Sequence, residues 1–195
     1  METPRGPAEV EIADPAAVPV SLLVLGHGAG GGVRAPDLVR VRDTALAGGV
    51  RVALVTQPYR VAGRRAPAPA AHLDEAWTAV VQAIAEPGVP LILGGRSSGA
   101  RVACRTAAAL GAVGVLALAF PLHPPGRPDR SRAAELPTSI PTLVINGDRD
   151  PFGVPEPAGP VEVAVVPGAT HDLRKGLPDT AQAVRDWLLR HGWAA

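Results

Sequence analysis

The chain has 195 residues, 47% of them hydrophobic, and 19 basic against 18 acidic residues give a formal net charge of +1. That balance excludes a general affinity for nucleic acid or acidic membranes, and the length suits one domain with a substantial core. The single cysteine, Cys104, excludes an internal disulfide and a cysteine-rich metal site.

The start, Met1-Glu2-Thr3-Pro4-Arg5, lacks a basic-then-apolar leader, and no apolar run approaches the ~20 residues of a bilayer span. A cytoplasmic protein without membrane association is expected. Residues 1–18 read as an N-terminal extension, with a candidate edge strand at Glu9–Ala13, and residues 19–195 as the domain. Short apolar runs follow at Val20–Leu25, Val50–Thr56, Val89–Leu93, Val113–Phe120, Pro141–Asn146 and Val161–Val166. They are nearly continuous rather than alternating, as strands buried on both faces are. Between them helices are expected at Ala35–Ala47, Ala71–Glu86, Gly99–Leu110 and Pro178–His191, the last with a start signal at Pro178-Asp179 and a stop at Gly192. Pro58–Pro69 and Pro121–Pro137 read as loops rich in proline and arginine. The alternation predicts an α/β fold with a mostly parallel sheet of about six strands and helices on both faces. In such sheets ligands bind outside the carboxyl ends of the strands.

Gly95-Arg96-Ser97-Ser98-Gly99 fits G-x-S-x-G between a strand and a helix, the nucleophile elbow of serine hydrolases. A chain with 22 glycines gives about 0.06 such matches by chance, so its neighbours decide. The strand before it and the alanine-rich helix after it are what an elbow needs. Two later loops at the same edge carry an acid and a base. Asp148 and Asp150 follow Pro141–Asn146, and His171-Asp172 follow Val161–Val166. A serine hydroxyl needs a base to take its proton and a carboxylate to orient that base. Pro151 stiffens the exit from Asp150 and favours it as the acid, whereas Asp148 suits a turn cap. Asp172 adjoins the histidine, and adjacent side chains diverge. His171 is the expected base, because His72 and His191 fall on helices and His27 precedes the serine. His27, Tyr59, Arg96, His123 and Phe152 are expected to line a pocket.

Gly26-His27-Gly28-Ala29-Gly30-Gly31-Gly32 lets backbone approach a ligand closely. It nominates the Ala29 N–H, with that of Ser98, as the oxyanion donors. The same stretch fits G-x-G-x-x-G, but the next run ends at Thr56-Gln57-Pro58 without the carboxylate that a dinucleotide site wants.

The chain resembles the α/β-hydrolases on five segments: Leu25–Gly30, Gly94–Gly99, Phe120–Gly126, Gly147–Gly153 and Gly168–Leu173. More narrowly it is similar to a small cap-less bacterial branch in the dienelactone-hydrolase-like clan. That branch has a eukaryotic relative in the chromatin-associated non-specific-lethal complex. The resemblance implies the chain order serine, acid, histidine, a G-x-x-D spacing from Gly147 to Asp150, and no lid between Phe120 and Ile140. It also implies an N-terminal half-sheet shorter than in full-length hydrolases. Ser98 and Ala100 depart from the methionine and glycine usual in the branch, but the Ser98 N–H survives. The implied activity is cleavage of a small acyl ester or thioester through an acyl-enzyme, with catalytic Ser97, Asp150 and His171 and with no cofactor or metal. A non-catalytic hydrolase-like scaffold is the alternative, and a dinucleotide-binding protein a more distant one. Arg34, Arg60, Arg64, Arg65, Arg96, Arg127, Arg130 and Arg132 fall on loops at the same edge, which points to an anionic ester as the partner. Solvated loop arginines are the plain alternative.

Overall fold

Apolar runs without alternation can be buried only between two layers of helices, and that is where the chain places them. A computed structural model describes residues 1–195. The strands are β1 (Glu9–Ala13), β2 (Ser21–Gly26), β3 (Val50–Thr56), β4 (Leu91–Arg96), β5 (Gly114–Leu118), β6 (Thr142–Gly147) and β7 (Val161–Val166). They form one sheet in the order β1-β3-β2-β4-β5-β6-β7. All pairs are parallel except β1 with β3, where Glu9 faces Thr56 and Ala13 faces Val52. The candidate edge strand therefore exists and closes one side of the sheet.

Helices α1 (Pro36–Ala47) and α5 (Leu177–Arg190) cover one face. They bury Leu38, Val41, Val184 and Trp187 against Leu23, Leu25, Leu116 and Ile145. Helices α3 (Ala70–Ile84) and α4 (Ser98–Thr106) cover the other, where Trp77, Val80, Val102 and Ala103 meet Val24, Leu93 and Val115. At ~25 cal/mol per Å² of apolar area, these two layers are the main source of stability. No helix is long and apolar enough to cross a membrane.

Several boundaries differ from the sequence reading, each for a local reason. β4 runs on through Gly94 and Gly95, which pair with Leu25 and Gly26 on one side and Leu116 and Ala117 on the other. Hydrophobicity alone could not extend the strand into glycines. β5 stops at Leu118 because Ala119 turns the chain with φ +46°. α4 ends at Thr106, short of Leu110, and α5 begins at Leu177 behind a left-handed Gly176 with φ +81°. The loop expected after Thr56 contains a short helix, α2 (Pro58–Val61), because proline at the first helical position is preorganised for it.

Between β5 and β6 there is one 3₁₀ turn, Ala133–Glu135, and no lid. Glu135 accepts from Arg101 at 2.8 Å and from Arg105 at 2.9 Å, and Arg105 also donates to Asp74 at 2.6 Å. This half-buried network ties the segment down onto α3 and α4.

The chain crosses from one side of β2 to the other between β3 and β4, so β2 and β4 meet at a switch point. There α4 packs against the end of β2 with only backbone in between. A Cβ on Gly99 would lie 2.4 Å from Gly26 O. Gly99→Ala is expected to lower stability by about 2 kcal/mol or more. Gly32→Ala, with nothing within 4 Å of the added carbon, should stay within about 0.5 kcal/mol. Urea unfolding midpoints of the two variants check the contrast.

Candidate active site

Ser97 stands at the switch point, between the end of β4 and the first residue of α4. The turn is too tight for ordinary backbone, and Ser97 takes φ +53° and ψ −108°. A non-glycine residue there costs of order 1–3 kcal/mol. Its N–H donates to Leu118 O at 2.8 Å, which anchors the turn to β5.

The structure brings His171 and Asp150 to this serine. The Ser97 hydroxyl donates to His171 Nε2 at 2.9 Å, and His171 Nδ1 donates to Asp150 Oδ2 at 2.8 Å. The acceptor at Nδ1 fixes the tautomer that leaves Nε2 free to accept. Asp150 is wholly buried at its side chain, and its Oδ1 accepts the Phe152 N–H at 2.9 Å. Asp148 does not reach the histidine. Its Oδ1 accepts the Gly168 N–H at 2.7 Å and so ties the acid loop to the histidine loop. Asp172 accepts from Thr170 and from the Arg174 N–H, ordering its own turn.

Asn146, which no local sequence pattern singles out, carries the acid loop. Its Oδ1 accepts the Phe120 N–H at 2.9 Å, and its amide reaches Phe120 O and Gly153 O at 3.0 Å each, with Asp150 Oδ2 at 3.4 Å. Phe120 lies 26 residues away, so only the fold brings it to the acid loop.

The glycine-rich loop after β2 passes directly over the serine. A Cβ on Gly28 would sit 3.6 Å from Ser97 Cβ. The Ala29 and Ser98 amides have no protein acceptor. α1 opens at Pro36, beyond the glycines, whereas a dinucleotide fingerprint needs the helix to start at them.

Four of the five expected pocket residues are engaged in holding loops rather than free to meet a ligand. Tyr59 Oη donates to Ala29 O at 2.7 Å. His27 is 2% exposed; its Nδ1 donates to Gly28 O at 2.8 Å and its Nε2 accepts the Gln57 N–H at 3.1 Å. With both nitrogens used it has none to offer a substrate, and its ring lines a small void beside Ser98. His123 bonds Pro124 O through Nδ1 at 2.9 Å, and its ring fills the space over Gly153. Arg96 turns toward Asp37, 3.0 Å from Nε to Oδ2. Phe152 lies on the His171 ring with centroids 4.2 Å apart. A polar cleft of about 560 Å³ lies alongside, between Gly31–Asp37, Arg96, Asp172 and Arg174.

The α/β-hydrolase domain model matches residues 19–182. The chain belongs to the α/β-hydrolase family. A search of curated protein sequences finds no match, but solved structures share the fold of this α/β-hydrolase. A serine hydrolase homologue from Coxiella burnetii is 19% identical over 95% of this chain and 94% of its own, with a TM-score of 0.80. A serine hydrolase without a lid from Xanthomonas campestris is 21% identical over 97% and 92%, with a TM-score of 0.76. A dienelactone hydrolase from Anabaena variabilis is 20% identical over 94% and 91%, with a TM-score of 0.72.

Burial pushes the His27 imidazole below its ordinary value, with the Arg60 charge acting the same way and the bond to Gly28 opposing. Below pH ~6.5 the unfolded chain takes up a proton that native His27 refuses. Stability from this group is therefore complete above that value and falls as pH drops below it, by up to about 1.4 kcal/mol per pH unit. The loss continues until the native imidazole is itself protonated. Urea unfolding from about pH 5 to about pH 7 should show a shallower pH slope in His27→Asn than in the wild type.

Proposed function

We propose that this α/β-hydrolase is a serine hydrolase that cleaves small acyl esters or thioesters through an acyl-enzyme. The observation that carries the reading is the continuous hydrogen-bonded path from Ser97 through His171 to Asp150, at 2.9 and 2.8 Å. Ser97 Oγ adds to the substrate carbonyl as its proton passes to His171 Nε2. The imidazolium is stabilised by Asp150, which stays ionised. The carbonyl oxygen, now an oxyanion, meets the Ala29 and Ser98 amides. The tetrahedral adduct collapses, the C–O or C–S bond breaks, and His171 returns the proton to the leaving alcohol or thiol. Water then adds to the acyl-enzyme with His171 as base again, releasing the acid and free Ser97. The lidless serine hydrolase and the dienelactone hydrolase that share the fold support this reading.

The mouth favours a short acyl group. Behind the oxyanion loop the space is a void of about 10 Å³ among His27, Tyr59, Leu73 and Trp77, about the size of one water. Five of the eight arginines at this edge are engaged, and the anionic ester expected as substrate rests on Arg64, Arg65 and Arg130, which pair with no carboxylate. Arg34 pairs with Glu11, Arg96 with Asp37 and Arg127 with Asp129, while Arg60 and Arg132 bond backbone carbonyls.

A fluorophosphonate probe should label the wild type at Ser97 and leave Ser97→Ala and His171→Ala unlabelled. Asp150→Asn should stay folded and lose on the order of 10⁴-fold in kcat. Absence of labelling in the wild type would overturn the reading in favour of a scaffold. Across nitrophenyl esters, kcat/KM should fall as the acyl chain grows beyond a few carbons, because each methylene gains its ~0.8 kcal/mol only where a pocket buries it.

A further inference from the structure

Arg96, the residue before the serine, touches three parts of the site at once. Its Nε lies 3.0 Å from Asp37 Oδ2 at the start of α1, and its Nη2 donates to His171 O at 3.1 Å. Its Nη1 occupies the space beside Gly28, where an added Cβ would lie only 2.8 Å away. One planar group thus spans α1, the loop over the oxyanion donors and the loop of the base.

Its partner is placed at a cost. The Asp37 side chain is 0% exposed and that of Arg96 only 17%. Asp37 Oδ1 accepts the Leu38 N–H at 2.9 Å, while Oδ2 makes no aligned hydrogen bond and is held to Arg96 by charge. Burial pushes the Asp37 carboxyl up, and the Arg96 guanidinium pulls it back. A buried pair of this kind is often no more stable than apolar residues of equal volume, so stability alone does not account for it. Asp37 also neutralises the guanidinium and removes it as a free anion site. Arginine rather than lysine is needed, because only a rigid fork holds a carboxylate and a carbonyl in fixed directions.

We propose that Arg96, held by Asp37, is a positioning residue that fixes the His171 backbone and the Gly28 turn relative to Ser97. It acts on the base and the oxyanion loop, not on the substrate. The inference rests on the serine-hydrolase reading.

The test uses Asp37→Asn, Arg96→Met and the double variant Asp37→Leu with Arg96→Met, which replaces the pair by apolar groups and keeps the fold. All three are expected to lose about 10- to 100-fold in kcat and in fluorophosphonate labelling rate, with KM within about twofold. The double variant should match the wild type in urea stability. A double variant that is as stable as the wild type and labels at the wild-type rate overturns the proposal, since the pair is then structural only. Asp37→Asn with unchanged kcat and labelling also overturns it. An activity-independent readout separates this from the reading it rests on. The His171 Nδ1–H proton, bonded to Asp150, should be observed by NMR in the wild type and shift or broaden in Asp37→Asn and the double variant. If the wild type does not label, the hydrolase reading fails, and an unchanged Nδ1–H resonance in both variants then overturns the positioning role as well.

Discussion

The site depends on how closely the β4–α4 turn approaches the end of β2. A Cβ on Gly95 would lie 2.5 Å from Gly26 O, and one on Gly99 would lie 2.4 Å from the same atom. Only backbone fits in that space. Strand β4 therefore leads into α4 without a loop, and Ser97 takes a left-handed φ that raises its hydroxyl above the strand ends. The strain is offset by the Leu118 hydrogen bond and by α4 burying Ala100, Val102 and Ala103 in the core. The glycines of G-x-S-x-G thus answer to a neighbouring strand, and the serine's exposure is a consequence of that packing.

A second backbone approach builds the other half. A Cβ on Gly147 would meet Ala169 O at 2.2 Å, so the loops after β6 and β7 lie directly against each other. Arg149 N–H donates to Ala169 O at 3.0 Å and Asp148 N–H to Val166 O at 3.2 Å. Asp150 and His171 inherit their separation from this contact, and Asn146 carries it across to β5. His171 meets Ser97 because two strand neighbours and one buried amide fix three loops on a common edge.

Much of this was legible in the sequence, and the reason differs by residue. Ser97 shows through a local pattern that no other serine in the chain satisfies. Asp150 and His171 show because each follows an apolar run, and run order places them at one sheet edge. Asn146, Gln57 and Asp37 do not show, since an isolated amide or carboxylate has no local pattern and its partners come from other strands. For the same reason the two bonds of His27 do not show. A histidine in a glycine-rich loop reads as a pocket residue until the fold supplies Gln57 N–H on one side and Gly28 O on the other. The strand ends misled because hydrophobicity marks buried side chains, whereas β4 continues through glycines held by backbone pairing alone.

The absence of a lid places a demand on these hidden supports. In an enclosed site, low dielectric strengthens every charge–dipole interaction. Here the segment from Pro121 to Ile140 is tied to α3 and α4 by Arg101, Arg105, Asp74 and Glu135, and its only element is the Ala133–Glu135 turn. On the proposed chemistry, transition-state stabilisation then rests on the fixed direction of the donors rather than on water exclusion. That is what Tyr59 supplies to Ala29, His27 to Gly28, Asn146 to the acid loop and Arg96 to His171. Each is a mostly buried polar group satisfied by the backbone of a site loop, and each removes a freedom that an open site would otherwise leave to solvent.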